Sequence, residues 1–220
     1  MEITLFSFYR SDIMFAKRHW GEDMDAIGKR RSIRKFKDTD VSDGLITKII
    51  KAGAEAPSAK NRQPWKYIVF KGKAREEMLS VMDRGLDMAL AEPTLPEQGK
   101  AGVADAKNTL KIMRGAPVII LVLNTNGTSP FAKPLDIFGR ITEICDSLSC
   151  GASIENTLLA ATEEGLGTLW IANTFYAHEP LRAYLKTDKQ LIAAIAVGYP
   201  DEVPVKRPRK DLEEIIEFRR

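Results

Sequence analysis

The chain has 220 residues, 44% of them apolar, which is enough for one sizeable buried core and sits where a single domain is the default. Its 33 basic and 30 acidic residues nearly cancel to a net charge of +3, so the excess expected of a nucleic-acid binder is missing. The longest clean apolar run, residues 116–123, falls far short of the ~20 residues a membrane helix needs, and no membrane span is expected.

Residues 1–22 are irregular in pattern and rich in large side chains, which predicts an arm that packs on something, such as a partner subunit. Glu2, Arg10, Asp12, Lys17 and Arg18 interrupt the apolar residues there, so no signal-peptide core is read and a cytoplasmic location is the default expectation. Residues 23–220 are expected to form one domain. A short helix is predicted over residues 23–30, with Met24 and Ile27 on one face, and it delivers the run Arg30, Arg31, Ser32, Ile33, Arg34 at its end. Ser42 reads as the N-cap of a second helix carrying an apolar stripe of Leu45, Ile46, Ile49 and Ile50. Pro57 stops that helix, because the residue before proline avoids helical geometry, and a polar loop spans residues 58–64.

Strands are predicted over residues 65–71, 117–123, 168–172 and 191–198, where aromatic and β-branched residues concentrate. Residues 93–102 contain two prolines and two glycines between helical patterns and read as a mobile loop or lid; residues 124–134 read similarly. The stretch 136–164 is the most apolar helix candidate, and its Gly151, Ala152 and Ser153 allow another helix to approach closely. Cys145 and Cys150 form neither a disulfide framework nor a Cys-x-x-Cys motif and are expected to be two reduced, buried thiols. No internal repeat is visible. The order of elements predicts one α+β domain, a small sheet flanked by helices.

Absences narrow the chemistry. With only His19 and His178 and no spaced ligand cluster, a zinc site or a histidine-based triad lacks parts. There is no phosphate loop of the Gly-x-x-x-x-Gly-Lys-Ser/Thr type, and Gly165-Leu166-Gly167 lacks the third glycine and leads into a strand, so a Rossmann dinucleotide domain is excluded. What remains suits a phosphorylated planar cofactor. Arg30, Arg31 and Arg34 can hold phosphate oxygens through paired hydrogen bonds, and Ser32 can add one more. A second basic cluster, Lys206, Arg207, Arg209 and Lys210, lies near the other end. Taken alone, either run is ordinarily solvated surface. The loop Pro57, Ser58, Asn61, Gln63, Pro64 gathers hydroxyl and amide donors between a helix stop and a strand start, as binding loops do; an ordinary capped connection with Trp65 in the core is the other reading.

These residues carry a resemblance. Arg30-Arg31-Ser32-Ile33-Arg34-Lys35-Phe36, Pro57-Ser58-x-x-Asn61-x-Gln63-Pro64-Trp65, the run from Gly151 to Ala161, Gly165-Leu166-Gly167, Val197-Gly198-Tyr199-Pro200 and Arg209-Lys210 resemble the nitroreductase family of FMN enzymes, in order and spacing, from about Met24 onward. The resemblance implies an intertwined α+β homodimer with a small, mostly antiparallel sheet, the 136–164 helix in the dimer core, and two FMN sites built from both subunits. It implies that Arg30, Arg31 and Ser32 hold the ribityl chain and phosphate, that Arg209 reaches the phosphate, and that Arg34 approaches the flavin's pyrimidine edge. Pro57, Ser58 and Asn61 would cover the flavin from the second subunit, with Gln63 shaping that loop. Trp170, Ile171, Ala172 and Asn173 would run beside the isoalloxazine ring, although Trp170-Ile171-Ala172-Asn173-Thr174 departs from the family versions of this segment. For Trp170, core packing is the competing role.

The function so implied is transfer of electrons from NADH or NADPH, through flavin N5 in a ping-pong cycle, to a small acceptor such as a nitroaromatic or quinone. Hydride transfer needs positioning more than an acid or base, so no catalytic side chain is assigned. Alternatives are a reductive dehalogenase or flavin-fragmenting relative, a flavin-binding redox module without turnover, or a nucleic-acid-binding surface, which the small net charge disfavours. No nucleic-acid or membrane partner is expected.

Overall fold

The computed structural model describes residues 25–132 and 134–220, so the arm expected over residues 1–22 lies outside the described residues. Elements in chain order are α1 (Asp25–Lys29), α2 (Asp43–Ala54), a 3-10 turn (Ala59–Asn61), β1 (Trp65–Lys71), α3 (Gly72–Leu90), α4 (Glu97–Gly115) and β2 (Val118–Asn124). The chain continues through α5 (Ile137–Glu163), β3 (Gly167–Ile171), a second 3-10 turn (Asn173–Ala177), α6 (His178–Leu185), β4 (Gln190–Gly198) and α7 (Leu212–Ile215). The α+β expectation holds, and each of the four predicted strands is present.

The sheet runs β1-β2-β4-β3 and every pairing between strands is antiparallel. Its inner strands are apolar without alternation because both faces are covered, the condition that removes the polar-out pattern. Ile119, Leu121 and Leu123 of β2 face the cluster built by α3, α4 and α6, with Met78, Met82, Leu86, Leu110 and Leu181. Val118, Ile120 and Val122 face the opposite cluster, where Ile46 and Ile49 of α2 meet Ile154 and Leu158 of α5. The β2–β4 register slips between Val122, opposite Ala193, and Leu123, opposite Leu191. The extra residue, Ile192, is a bulge that returns Leu191 to the same face as Ala194.

Ser42 caps α2 by accepting a hydrogen bond from the Leu45 amide at 3.3 Å, as the sequence predicts. The long helix approaches α2 closely at Ser153, whose hydroxyl donates to the Gly53 carbonyl at 2.7 Å. Two expectations need correction. Residues 93–102 are not a lid: Pro96 caps α4, which begins at Glu97 and contains both glycines. Proline suits a helix start, and Gly102 is there for packing, since a Cβ on it would collide with the Tyr176 hydroxyl. Of the two cysteines, Cys150 is buried with its thiol pKa pushed up to about 12 by burial and by the Asp146 charge, whereas Cys145 is only half-buried. Ile27 is 51% exposed, so the face assigned to α1 is not covered by the described residues.

The basic run is placed by its contact with the sheet. Ser32 forms a parallel bridge to Thr168 at the free edge of β3, and the Ile33 amide donates to the Thr168 carbonyl at 2.9 Å. Gly167 makes this possible: a Cβ there would lie 2.8 Å from Ile33 Cγ1. Arg30 to Arg34 are thereby laid along the sheet edge as a strap.

Candidate cofactor site

The strap is fixed at several points. The Lys37 amide donates to the Tyr199 carbonyl and the Asp201 amide to the Lys35 carbonyl, both at 2.9 Å. Glu202 accepts from the Arg34 and Lys35 amides. Pinning the strap to the segment after β4 brings Arg30, Arg31, Ser32 and Arg34 against Lys206, Arg207 and Arg209 around a cavity of about 130 Å³. The two basic clusters read separately from the sequence are thus one.

Arg31 Nη1 donates to the carbonyls of Gly28 and Arg30, each at 2.7 Å, which caps α1 and sets the guanidinium. Arg34 Nη1 donates to the Ser32 carbonyl at 3.2 Å. Arg30 pairs with Glu155 of α5 at 3.1 Å. Among the described residues, the side chains of Arg31, Arg34, Lys206, Arg207 and Arg209 have no carboxylate partner. Held cations without counter-charge repel one another, and an anion with several acceptor oxygens relieves that repulsion.

Arg34 also lines a second cavity of about 390 Å³, together with Leu169, Trp170, Ile171, Ala172 and Asn173 at the end of β3. Trp170 is 42% exposed and belongs to this wall, so the core-packing role is set aside. The opposite wall is α4, whose Asp105, Asn108, Thr109 and Ile112 stand at i, i+3, i+4 and i+7 on one face. Sequence reasoning missed this wall. The buried face of α4, with Val103, Ala106, Leu110 and Met113, is legible, but its polar face looks like any solvated one. The two cavities, one lined mainly by cations and one of mixed character, share Arg34.

Pro57, Ser58 and Asn61 line neither cavity within one chain. Their loop is fastened instead to α5. The Ala59 amide donates to Ser149 Oγ at 3.2 Å, and Arg62 Nε and Nη2 donate to Asp146 Oδ1 at 2.9 and 2.8 Å. Ser58 Oγ accepts from the Gln63 amide at 3.0 Å, and Gln63 Nε2 donates to Asn61 Oδ1 at 3.1 Å. Lys60, Asn61 and Gln63 hold φ of 55°, 54° and 46°. Such left-handed residues cost on the order of 1–3 kcal/mol each when not glycine and persist where surrounding contacts over-determine them, often at functional loops.

A larger cavity, about 850 Å³, lies beyond the second 3-10 turn and is lined by Phe131, Phe175, Tyr176 and His178. His178 is buried, and burial lowers its pKa against the opposing pull of Glu179, whose carboxylate lies 3.0 Å from Nδ1. No group of three or more metal-ligating side chains occurs among the described residues. No helix there is long and apolar enough to cross a membrane.

Comparison with known proteins bears on the family and the fold. A Bacillus subtilis protein provisionally named NAD(P)H nitroreductase YfhC is 27% identical over 86% of this chain and 90% of its own length. A BluB-like flavoprotein of Clostridium difficile 630 superposes with a TM-score of 0.70 at 31% identity, covering 90% of this chain and 99% of the other. A provisionally named nitroreductase of Desulfovibrio desulfuricans, solved with FMN, gives 0.65 at 28% identity over 90% and 97%. Residues 27–199, from α1 through the end of the sheet, match the nitroreductase family, and the chain belongs to that family.

Proposed function

We propose that the chain is an FMN-dependent oxidoreductase that takes electrons from NADH or NADPH and passes them to a small acceptor such as a nitroaromatic or a quinone. The observation that carries this reading is that Arg34 lines both a cavity rich in cations, most of them without a carboxylate partner among the described residues, and a second one walled by a strand end and an amphipathic helix. A phosphate fits the first and a planar ring the second. Arg30, Arg31, Ser32 and Arg209 would hold the phosphate end, and Trp170, Ile171, Ala172 and Asn173 would line the ring. Arg34, whose Nη1 donates to the Ser32 carbonyl, would place positive charge where reduced flavin accumulates negative charge near N1 and the C2 carbonyl.

FMN held by these residues would supply the redox centre, a hydride acceptor toward the nicotinamide and an electron donor toward the second substrate, in a ping-pong cycle. The protein's part is binding, orientation and electrostatics. A second copy of this chain completes the site. Ile137, Ile141, Ile144 and Leu148 form an exposed stripe at i, i+4, i+7 and i+11 on α5, with Phe138 beside it, and the loop holding Pro57, Ser58 and Asn61 is fastened to the same helix. Apolar stripes of this extent mark interfaces. Pairing through α5 would carry that loop to the partner's flavin.

The test is the visible spectrum of the purified protein, before and after anaerobic addition of NADH or NADPH. The expected result is a flavin spectrum that bleaches and then returns on adding a nitroaromatic or quinone. A colourless protein that neither takes up FMN nor responds to nicotinamide overturns the reading. Turnover confined to a halogenated tyrosine would replace the acceptor class.

A further inference from the structure

Arg34 and Asp105 are the two charged side chains lining the cavity of about 390 Å³ beside the end of β3. In the proposed arrangement Arg34 belongs to the flavin's pyrimidine edge. Asp105 is then the formal charge left in that cavity for a molecule that docks on the ring. Its side chain is exposed, yet it is also held in place. Asn173 Nδ2 donates to Asp105 Oδ2 at 2.9 Å and to Thr109 Oγ1 at 2.9 Å, which ties this turn of α4 to the segment that follows β3. Among the described residues the carboxylate has no cationic partner, and Lys107, two residues further on, is turned to Asp83 and Asp87 of α3. Asn108, Thr109 and Ile112, the other residues of α4 in this wall, carry no charge. An ordinary surface aspartate swings freely in bulk water, whereas this one is fastened on a cavity wall.

We infer that Asp105 selects the acceptor by charge: the compound reduced in this cavity carries positive charge on or beside its ring, as a pyridinium or an ammonium-bearing nitroaromatic or quinone does, and carboxylated or sulfonated rings are rejected. The inference rests on the proposed FMN-dependent function and names the acceptor class within it. A cleft whose walls are of low dielectric focuses the field of a fixed charge and raises the local concentration of ligands of the opposite sign. A planar acceptor that stacks in the cavity displaces water from between itself and the walls. That strengthens the attraction to a cation and sets an anion against a carboxylate. Because Asn173 holds Oδ2, the charge cannot turn away from an anion without giving up that hydrogen bond. Discrimination of this kind comes as much from repelling the wrong partner as from attracting the right one. The nicotinamide donor escapes the screen, since its negative charges sit on the pyrophosphate, away from the ring that stacks.

Probes that share one reducible group test this: para-nitrobenzyl alcohol, para-nitrobenzoate and para-nitrobenzyltrimethylammonium. FMN-loaded wild type is compared with Asp105→Asn, which keeps an oxygen for Asn173, and with Asp105→Lys. The measurements are kcat/KM for each probe at saturating donor and Kd for the oxidised enzyme, read from the change in flavin absorbance. Asp105 is exposed, so its replacement leaves the core intact. Wild type should bind the ammonium probe more tightly than the benzoate. Normalised to the neutral alcohol, Asp105→Asn should lower kcat/KM for the ammonium probe about fivefold and raise it about as much for the benzoate, the size expected of unit charges ~6 Å apart in a largely solvated cleft. The changes should lie in KM and Kd rather than kcat, and should shrink at high salt. Asp105→Lys should reverse the order of the two charged probes. Equal changes for all three probes, or a charge preference that Asp105→Lys leaves in place, overturns the inference while leaving the FMN reading intact. A wild type that takes up no FMN refutes both.

Discussion

Replacing Arg62 with alanine tests how the loop bearing Pro57, Ser58 and Asn61 is held. Asp146 is 1% exposed and receives two hydrogen bonds from Arg62 on Oδ1 and one from Asn126 on Oδ2 at 3.3 Å. Removing one partner of a buried ion pair costs about 3–5 kcal/mol, because a carboxylate is left uncompensated. Two features place this case at the lower end. Asn126 still donates, and the Arg62 side chain is 28% exposed, so water can enter the gap. A loss of about 3 kcal/mol lowers Tm by about 6–12 °C for a chain of this length. Calorimetry on Arg62→Ala, Asp146→Asn and the double variant measures it. The double variant should recover at least half of the Arg62→Ala loss, since Asp146→Asn removes the buried charge. FMN retention should fall in Arg62→Ala well below its Tm, as the left-handed residues Lys60, Asn61 and Gln63 lose the contact that holds them. A loss under about 1 kcal/mol, or no recovery in the double variant, refutes the reasoning.

Arg30→Ala with Arg209→Ala should weaken FMN about a hundredfold or more, at roughly 1.5–3 kcal/mol for each lost charge-assisted bond, while riboflavin, which lacks the phosphate, binds as before; equal loss of both ligands in equilibrium dialysis would remove the phosphate assignment. Ile141→Glu with Leu148→Glu should yield a monomer by light scattering that no longer retains FMN, and a dimer with normal flavin content would place the interface elsewhere. Stability should fall as pH drops below the ordinary histidine value of 6.5, because burial lowers the His178 pKa and the unfolded chain binds a proton that the folded one resists. Stability is thus fully present above 6.5 and lost as pH falls toward the depressed value. His178→Phe should flatten the change in Tm between about pH 7.5 and 5.5, and an undiminished slope would assign it to other groups.

The strap and the strands were legible because their signals are local. A cluster of arginines and a β-branched run each declare themselves within a few residues. The union of Arg30, Arg31 and Arg34 with Arg209 was not readable from spacing, since it depends on antiparallel closure of β4 beside β3; only the family resemblance joined them. Residues 93–102 misled because proline and glycine were read as flexibility. Pro96 instead starts a helix, and Gly102 makes room for Tyr176, a contact far away in sequence. Asp105 and Thr109 gave no signal, because a polar helix face becomes a site wall only when something faces it.

The strap has a consequence for solubility. A sheet has two edges, and an unpaired edge is a template for another chain. At one end β1 presents the exposed Lys66, a charge that discourages such pairing. At the other, the edge of β3 is covered at Thr168 by the segment bearing Arg31, Ser32 and Arg34, through Ser32 and the Ile33 amide. The residues proposed to grip the phosphate therefore also shield the sheet from edge-to-edge association. Substitutions that loosen this segment expose a sticky strand at the same time as they empty the site, so selection against aggregation and selection for cofactor retention act on the same few residues.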